Sequence, residues 1–228
     1  MRADDHAAVL KVWAKRHRDL SRSRNQVVCR LHAVLCELVP GGVSKQIHAA
    51  AAARLLDQIQ PAGAVQAARR ELAGQFLADL RRIDAQMREA KKKLTIGVRA
   101  SGTTLTQVSG VGPIIAATVI GEARAVSRFP DRDHFAACNG TAPVEVSSGR
   151  RKIYRLSRRG NRRLNHAIHM AAVTQVSHRH SPGRAYYARK LAEGQTPKQA
   201  LRSLKRRLSD VILAQLQADA RRALAGPR

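Results

Sequence analysis

Residues 106–120 read TQVSGVGPIIAATVI, and this stretch decides how the second half of the chain folds. Ser109-Gly110-Val111-Gly112 is a tight-turn signal, and Pro113 opens an apolar run to Ile120. Proline fits there because a first-turn residue needs no intrahelical N–H bond. A short helix, a Gly-Val-Gly turn and an apolar helix together make the pattern of a helix-hairpin-helix. In that pattern Gly110 and Gly112 permit close backbone approach, and the free amides at the start of the second helix hold a phosphate. A plain αα-hairpin turn would use the same residues, so the phosphate role leans on the basic surroundings.

Upstream, residues 97–104 read as a linker, and before them come two long helical patterns. Residues 4–39 lack Pro and Gly. Trp13, Leu20, Val27 and Val34 recur every seven positions, with Leu10, Leu31 and Leu38 on companion positions. Arg16, Arg18, Arg22, Arg24 and Arg30 fall mostly outside this heptad-like seam. Pro40-Gly41-Gly42 ends it, and a shorter helix is expected over residues 44–60. Leu72, Phe76, Leu80, Ile83, Met87, Ala90 and Leu94 then step by fours and threes, and Lys91-Lys92-Lys93 suits the negative end of that helix. The two long helices pair as a hairpin within one chain or with a second copy.

Downstream, residues 128–137 predict a turn and short helix. Residues 139–164, NGTAPVEVSSGRRKIYRLSRRGNRRL, carry helix breakers at Gly140, Pro143 and Gly149 and a short extended piece at residues 144–146. From Arg150 to Arg163 there are eight Lys/Arg and no acid. A serine hydroxyl is a weak nucleophile, and cations that neutralise an attacked phosphate are what it would need. Ser148 is the loop serine that stands beside such a cluster. Arg150, Arg151, Lys152, Arg155, Arg158, Arg159, Arg162 and Arg163 are the candidate phosphate ligands. A solvated nucleic-acid-binding loop explains the same residues without catalysis. Residues 161–176 predict a helix with Leu164, Ile168, Ala171 and Ala172 inward. His166, His169, His178 and His180 lack acidic or cysteine company for a metal. Ser181-Pro182 and Thr196-Pro197 open two more helices. The last buries Leu201, Leu204, Leu208, Val211, Ile212 and Leu216, and turns Lys198, Arg202, Lys205, Arg206 and Arg207 outward.

Composition narrows the function. In 228 residues, 42 Lys+Arg against 16 Asp+Glu give a formal charge of +26. Such self-repulsion is relieved by a polyanion through ion pairing and counterion release. With 44% hydrophobic residues the chain can build a core, and with 3% aromatics it is a poor β-sandwich or stacking platform. No apolar run approaches the ~20 residues of a membrane span, and no export signal precedes the first helix. Cys29, Cys36 and Cys138 are odd in number and read as reduced thiols. The expectation is a cytoplasmic, all-α protein with a nucleic-acid partner and no membrane. A long helical hairpin or coiled coil occupies residues 1–97. A compact helical domain with the helix-hairpin-helix and an irregular basic loop occupies 98–228.

Three ordered segments carry a resemblance: VSGVGPIIAATVIGE, FAACNGTAPVEVSSG and SRRGNRRLNHAIHMAA. Together they resemble the C-terminal part of insertion-sequence transposases of the family usually called "one-ten", over residues 100–215. RNQVVCRLHAVLCELVPGG resembles the family's coiled-coil region. The resemblance implies a serine that attacks DNA and forms a phosphoserine link, here the catalytic candidate Ser148 followed by Gly149, with Ser147 as fallback. It also implies multimers (a homo-oligomer), DNA partners at element ends and target, and a structured guide RNA. The family's N-terminal RuvC-like domain holds divalent metal on four carboxylates, so Mg2+ is expected only with that domain and no cofactor in this chain. Asp4 and Asp5 cannot rebuild such a site. The chain thus reads as a truncated form in which DNA binding survives and strand cleavage does not, the isolated chain being inactive unless a RuvC-like domain is supplied in trans. The alternative is a non-catalytic nucleic-acid-binding remnant or regulator that co-assembles with full-length transposase.

Overall fold

The computed structural model describes residues 3–148, 151–156 and 160–225, and the side chains of 5–143 and 160–225. The fold is all-α, with one two-stranded ladder among the described residues. In chain order the elements are α1 (Ala3–Leu38), α2 (Ala49–Gln58), α3 (Ala64–Ala100), α4 (Pro113–Ala123), α5 (Arg132–Asn139), β1 (Pro143–Ser148), β2 (Arg151–Leu156), α6 (Arg162–Ser177), α7 (Pro182–Ala192) and α8 (Pro197–Ala225). No described helix is long and apolar enough to cross a membrane.

The chain forms two compact units, one of residues 15–93 and one of residues up to Ala14 together with those from Leu94 onward. In the first, the heptad positions Leu20, Val27, Leu31 and Leu38 are buried with Leu35, as the spacing predicts. On α3 the seam shifts: Leu72 is exposed, and Ala73 and Leu77 are buried in its place beside Leu80, Ile83 and Ala90. Ala73 shares one core cluster with Ala52 and Leu56 of α2, so α2 crosses where α3 presents its small residues. Arg70 Nε donates to the Leu56 carbonyl at 3.1 Å, satisfying a last-turn acceptor of α2.

In the second unit, α4, α5, α7 and α8 pack around α6 and one another. Leu164, Ile168, Ala171 and Ala172 of α6 are all buried, as expected. The start of α1 and the end of α3 complete this core with Leu10, Ala14, Leu94 and Val98. Thus residues 94–97 pack with the compact unit, and α3 runs on to Ala100. Gly121 lets α4 approach α1, because a Cβ there would lie 2.8 Å from Lys11 Cα.

The expected irregular loop after Gly140 is instead a β-hairpin in its backbone. Strands β1 and β2 are antiparallel, pairing Pro143 with Leu156 through to Ser148 with Arg151. Val144, Val146, Ile153 and Tyr154 are residue types that favour strands.

Candidate nucleic-acid interface

The glycine turn is bolted to α6. Thr103 Oγ1 and Thr104 Oγ1 donate to the two Asp219 carboxylate oxygens at 2.7 and 2.6 Å, so the expected linker is fixed onto α8. Residues Leu105–Gln107 make a single 3-10 turn, and Gly110 follows at φ +79°. A Cβ on Gly110 would lie 2.6 Å from the Ala171 carbonyl oxygen, so close contact with α6 and a left-handed backbone both require glycine here. Gln175 Nε2 donates to the Ser109 carbonyl at 2.6 Å across the same contact. Gly112 differs. It is the exposed N-cap residue of α4, has no side-chain cap, and a Cβ on it would meet nothing within 4 Å. Of the two glycines expected to approach a ligand, Gly110 faces the protein and Gly112 leaves a helix start uncovered.

The β-hairpin springs from a buried polar knot. Gly140 caps α5 in the left-handed conformation, φ 72° and ψ 23°. A Cβ on Gly160 would lie 2.5 Å from the Gly140 nitrogen, so the chain enters and leaves through touching glycines. Asn139, fully buried, donates from Nδ2 to Ser209 Oγ at 2.7 Å and accepts from the Thr141 amide at 3.1 Å. Asn165 Nδ2 donates to the Asn139 carbonyl at 2.8 Å, and Lys205 Nζ donates to Asn165 Oδ1 at 2.8 Å. Burial, and then the charge of Arg202, pull the Lys205 ammonium below the ordinary lysine range. Thr141 Oγ1 is buried with no hydrogen-bond partner among the described residues.

Glu122 is the second anchor. Its carboxylate accepts from Asn161 Nδ2 at 2.8 Å and Arg163 Nη1 at 3.3 Å, and Lys11 Nζ lies 3.5 Å away. Burial by itself would raise this carboxyl, but the Asn161 and Arg163 hydrogen bonds and the Lys11 charge outweigh it and leave it below the usual range. Asn161 also caps α6 by accepting from the Arg163 and Leu164 amides at 2.9 and 3.1 Å.

The residues expected from sequence fall into three groups. Arg162 and Arg163 are exposed in the first turn of α6, which contains no acid of its own, and Arg163 pairs with Glu122 of α4. Cations at a helix N-terminus are locally unfavourable, and an anion on that surface reverses the sign. Ser148, Ser147, Arg151, Lys152 and Arg155 are strand residues described through their backbone: Ser148 pairs with Arg151, Ser147 with Lys152 and Val144 with Arg155. Arg150, Arg158 and Arg159 lie outside the described residues. On α8 the expected basic face is only partly outward. Lys205 is 9% exposed in the polar knot, while Arg206 ion-pairs with Asp133 at 2.5 Å and with Asp210. The sequence reading missed Glu122, Asn139 and Asn165. The one trace they left is polar residues set within or beside otherwise apolar runs.

No three His, Cys, Asp or Glu side chains gather as a metal site among the described residues. Those side chains do not fit a four-carboxylate Mg2+ site.

Residues 102–188 match the sequence model of the Transposase IS116/IS110/IS902 family. The chain is similar to the insertion element IS116 uncharacterized 44.8 kDa protein of Streptomyces clavuligerus, with 36% identity over 148 residues, 64% of this chain and 36% of that protein. It is also similar to the insertion element IS110 uncharacterized 43.6 kDa protein of Streptomyces coelicolor, with 32% identity over 131 residues, 57% of this chain and 32% of that protein. The chain spans about a third of the length of these relatives. The glycine turn, the β-hairpin on its polar knot and α6 all lie inside the region that matches the Transposase IS116/IS110/IS902 family model.

Proposed function

We propose that this chain is the DNA-engaging, strand-joining part of an insertion-sequence transposase. Its partners are DNA at element ends and target, a structured guide RNA and further copies of the chain. Ser148 Oγ attacks a phosphodiester phosphorus. An Oγ–P bond forms and the P–O bond to the displaced deoxyribose oxygen breaks. The serine proton passes to water, and the displaced oxygen leaves as a hydroxyl after taking up a proton. One phosphodiester replaces another, so the step needs no external energy source. Arg151 and Lys152, with Arg150, Arg155, Arg158 and Arg159, supply the charge that the attacked phosphate requires. Arg162, Arg163 and the open amides after Gly112 hold flanking phosphates.

The observation that carries this reading is the backbone register: Ser148 pairs with Arg151 in the β-hairpin, inside the region that matches the family model, and the eight acid-free Lys/Arg of residues 150–163 begin two positions after it. The test is denaturing electrophoresis of the full chain incubated with end-labelled element DNA and guide RNA. With the RuvC-like domain supplied in trans, a covalent adduct is expected with the native chain and with Ser147→Ala, and none with Ser148→Ala. An adduct that persists in Ser148→Ala removes the assignment. Salt-sensitive DNA binding without any adduct leaves a binding module in place of a catalyst.

A further inference from the structure

A groove of about 720 Å³ opens beside the glycine turn, between the 3-10 turn, α6, α7 and α8. This is the size range of sites that take small ligands. Its floor is apolar, built by Val108, Leu204, Leu208 and Val211. Val211 belongs to the stripe that the sequence turns inward, yet it is 41% exposed, so the apolar face of α8 continues into open space here. Gln175 stiffens the wall: it is buried, bonded to Ser109, and so tight against Gly183 that a Cβ there would fall 1.9 Å from its Oε1.

The mouth has the opposite character. The guanidinium carbons of Arg189 and Arg207 lie 5.1 and 5.2 Å from the centroid of the Tyr186 ring, and Lys190 Nζ lies 5.7 Å from it. The ring thus holds two planar cations in place by cation–π attraction and leaves their N–H edges available. Glu193, outside the lining, pairs with Arg189 at 3.6 Å and with Lys190 at 2.5 Å. Arg207 has no carboxylate within 4 Å among the described residues, and no acidic side chain lines the groove. An occupant that satisfies both parts is flat and apolar on one side and anionic on the other. The amide-bearing Gln107 and Gln215 at the wall add edge-on hydrogen bonding.

We propose that this groove takes one unpaired nucleotide of a nucleic-acid strand, its base over the Val211 floor and its phosphate between Arg189 and Arg207. The proposal rests on the reading that this unit handles nucleic acid, and adds to backbone binding a place where a single displaced base is held. One groove holds one base, which agrees with a chain too poor in aromatics for a stacking track.

The experiment measures full-chain binding by fluorescence anisotropy to a blunt DNA duplex and to the same duplex with a one-nucleotide overhang, deoxyribo- or ribo-. The native chain is expected to prefer the overhang about tenfold, within the range of burying one base against a protein surface. Tyr186→Leu and Val211→Glu, an exposed site, should erase that preference and leave blunt-duplex affinity within twofold, while Tyr186→Phe keeps it. Equal binding to blunt and overhanging duplex by the native chain, or parallel losses on both probes in Tyr186→Leu, overturns the proposal. So does a Val211→Glu chain that changes its sedimentation but keeps its overhang preference, because the groove would then seat protein. Tyr186-dependent overhang binding without blunt-duplex binding keeps the groove and sinks the DNA-backbone reading instead. The stronger of the deoxyribo- and ribonucleotide arms names the strand.

Discussion

The long-helix unit and the compact unit are both helical, but they bury different chemistry. The first hides an apolar seam and α2. All six buried polar side chains among the described residues, Asn139, Thr141, Gln175, Ser181, Lys205 and Ser209, belong to the second. Apolar packing tolerates substitution that keeps volume and pattern, so a seam such as Ala73, Leu77, Leu80 and Ile83 places few demands on exact position. A buried amide with fixed partners does not, since each broken bond strands a desolvated group. The contrast teaches where positional accuracy is concentrated: at the foot of the β-hairpin and behind the glycine turn.

Four experiments break or sharpen that contrast. Leu35→Ala removes a fully buried side chain from the long-helix seam and is expected to cost about 2–5 kcal/mol by chemical denaturation. Asn139→Ala should cost about 1–3 kcal/mol by removing the buried donor to Ser209 Oγ, while the Thr141 amide keeps its bond to the Ala136 carbonyl. A loss below a few tenths would show that the knot is not needed for accuracy. Thr141→Val should go the other way, raising stability by about 1 kcal/mol, because it replaces a buried hydroxyl that has no partner among the described residues by a methyl group. The smallest effect is in pH dependence, and it links the units. His169 is held below the ordinary histidine range by burial, then by Lys205 and His166; His17 in the other unit is held down by burial, then by Lys91. Between each depressed value and the ordinary one the unfolded chain binds more protons, so stability rises with pH through that window and is lowest below it. His169→Gln and His17→Gln should each flatten part of the rise in melting temperature between acid and neutral pH. A curve unchanged in both would remove these histidines from the acid response.

Periodicity made the helices legible. Leu20, Val27, Leu31 and Leu38, the α6 residues 164, 168, 171 and 172, and proline at the starts of α4, α7 and α8 lie where spacing puts them. What spacing could not convey is which polar residue turns inward. Lys205 sits on a basic helix face like its neighbours, and only the tertiary partner Asn165 separates it from them. Gly110 and Gly112 look equivalent in sequence, and only α6 distinguishes the packed one from the open one. Within the candidate site, the sequence exposed the serines and the cation run because they are local, while Glu122 and Asn139 act across 39 and 70 residues and leave no local pattern.

The touching pair Gly140 and Gly160 has a mechanical consequence. Because the chain departs from α5 and returns toward α6 at one point, a change in the length of strands β1 and β2 need not displace either helix at that junction.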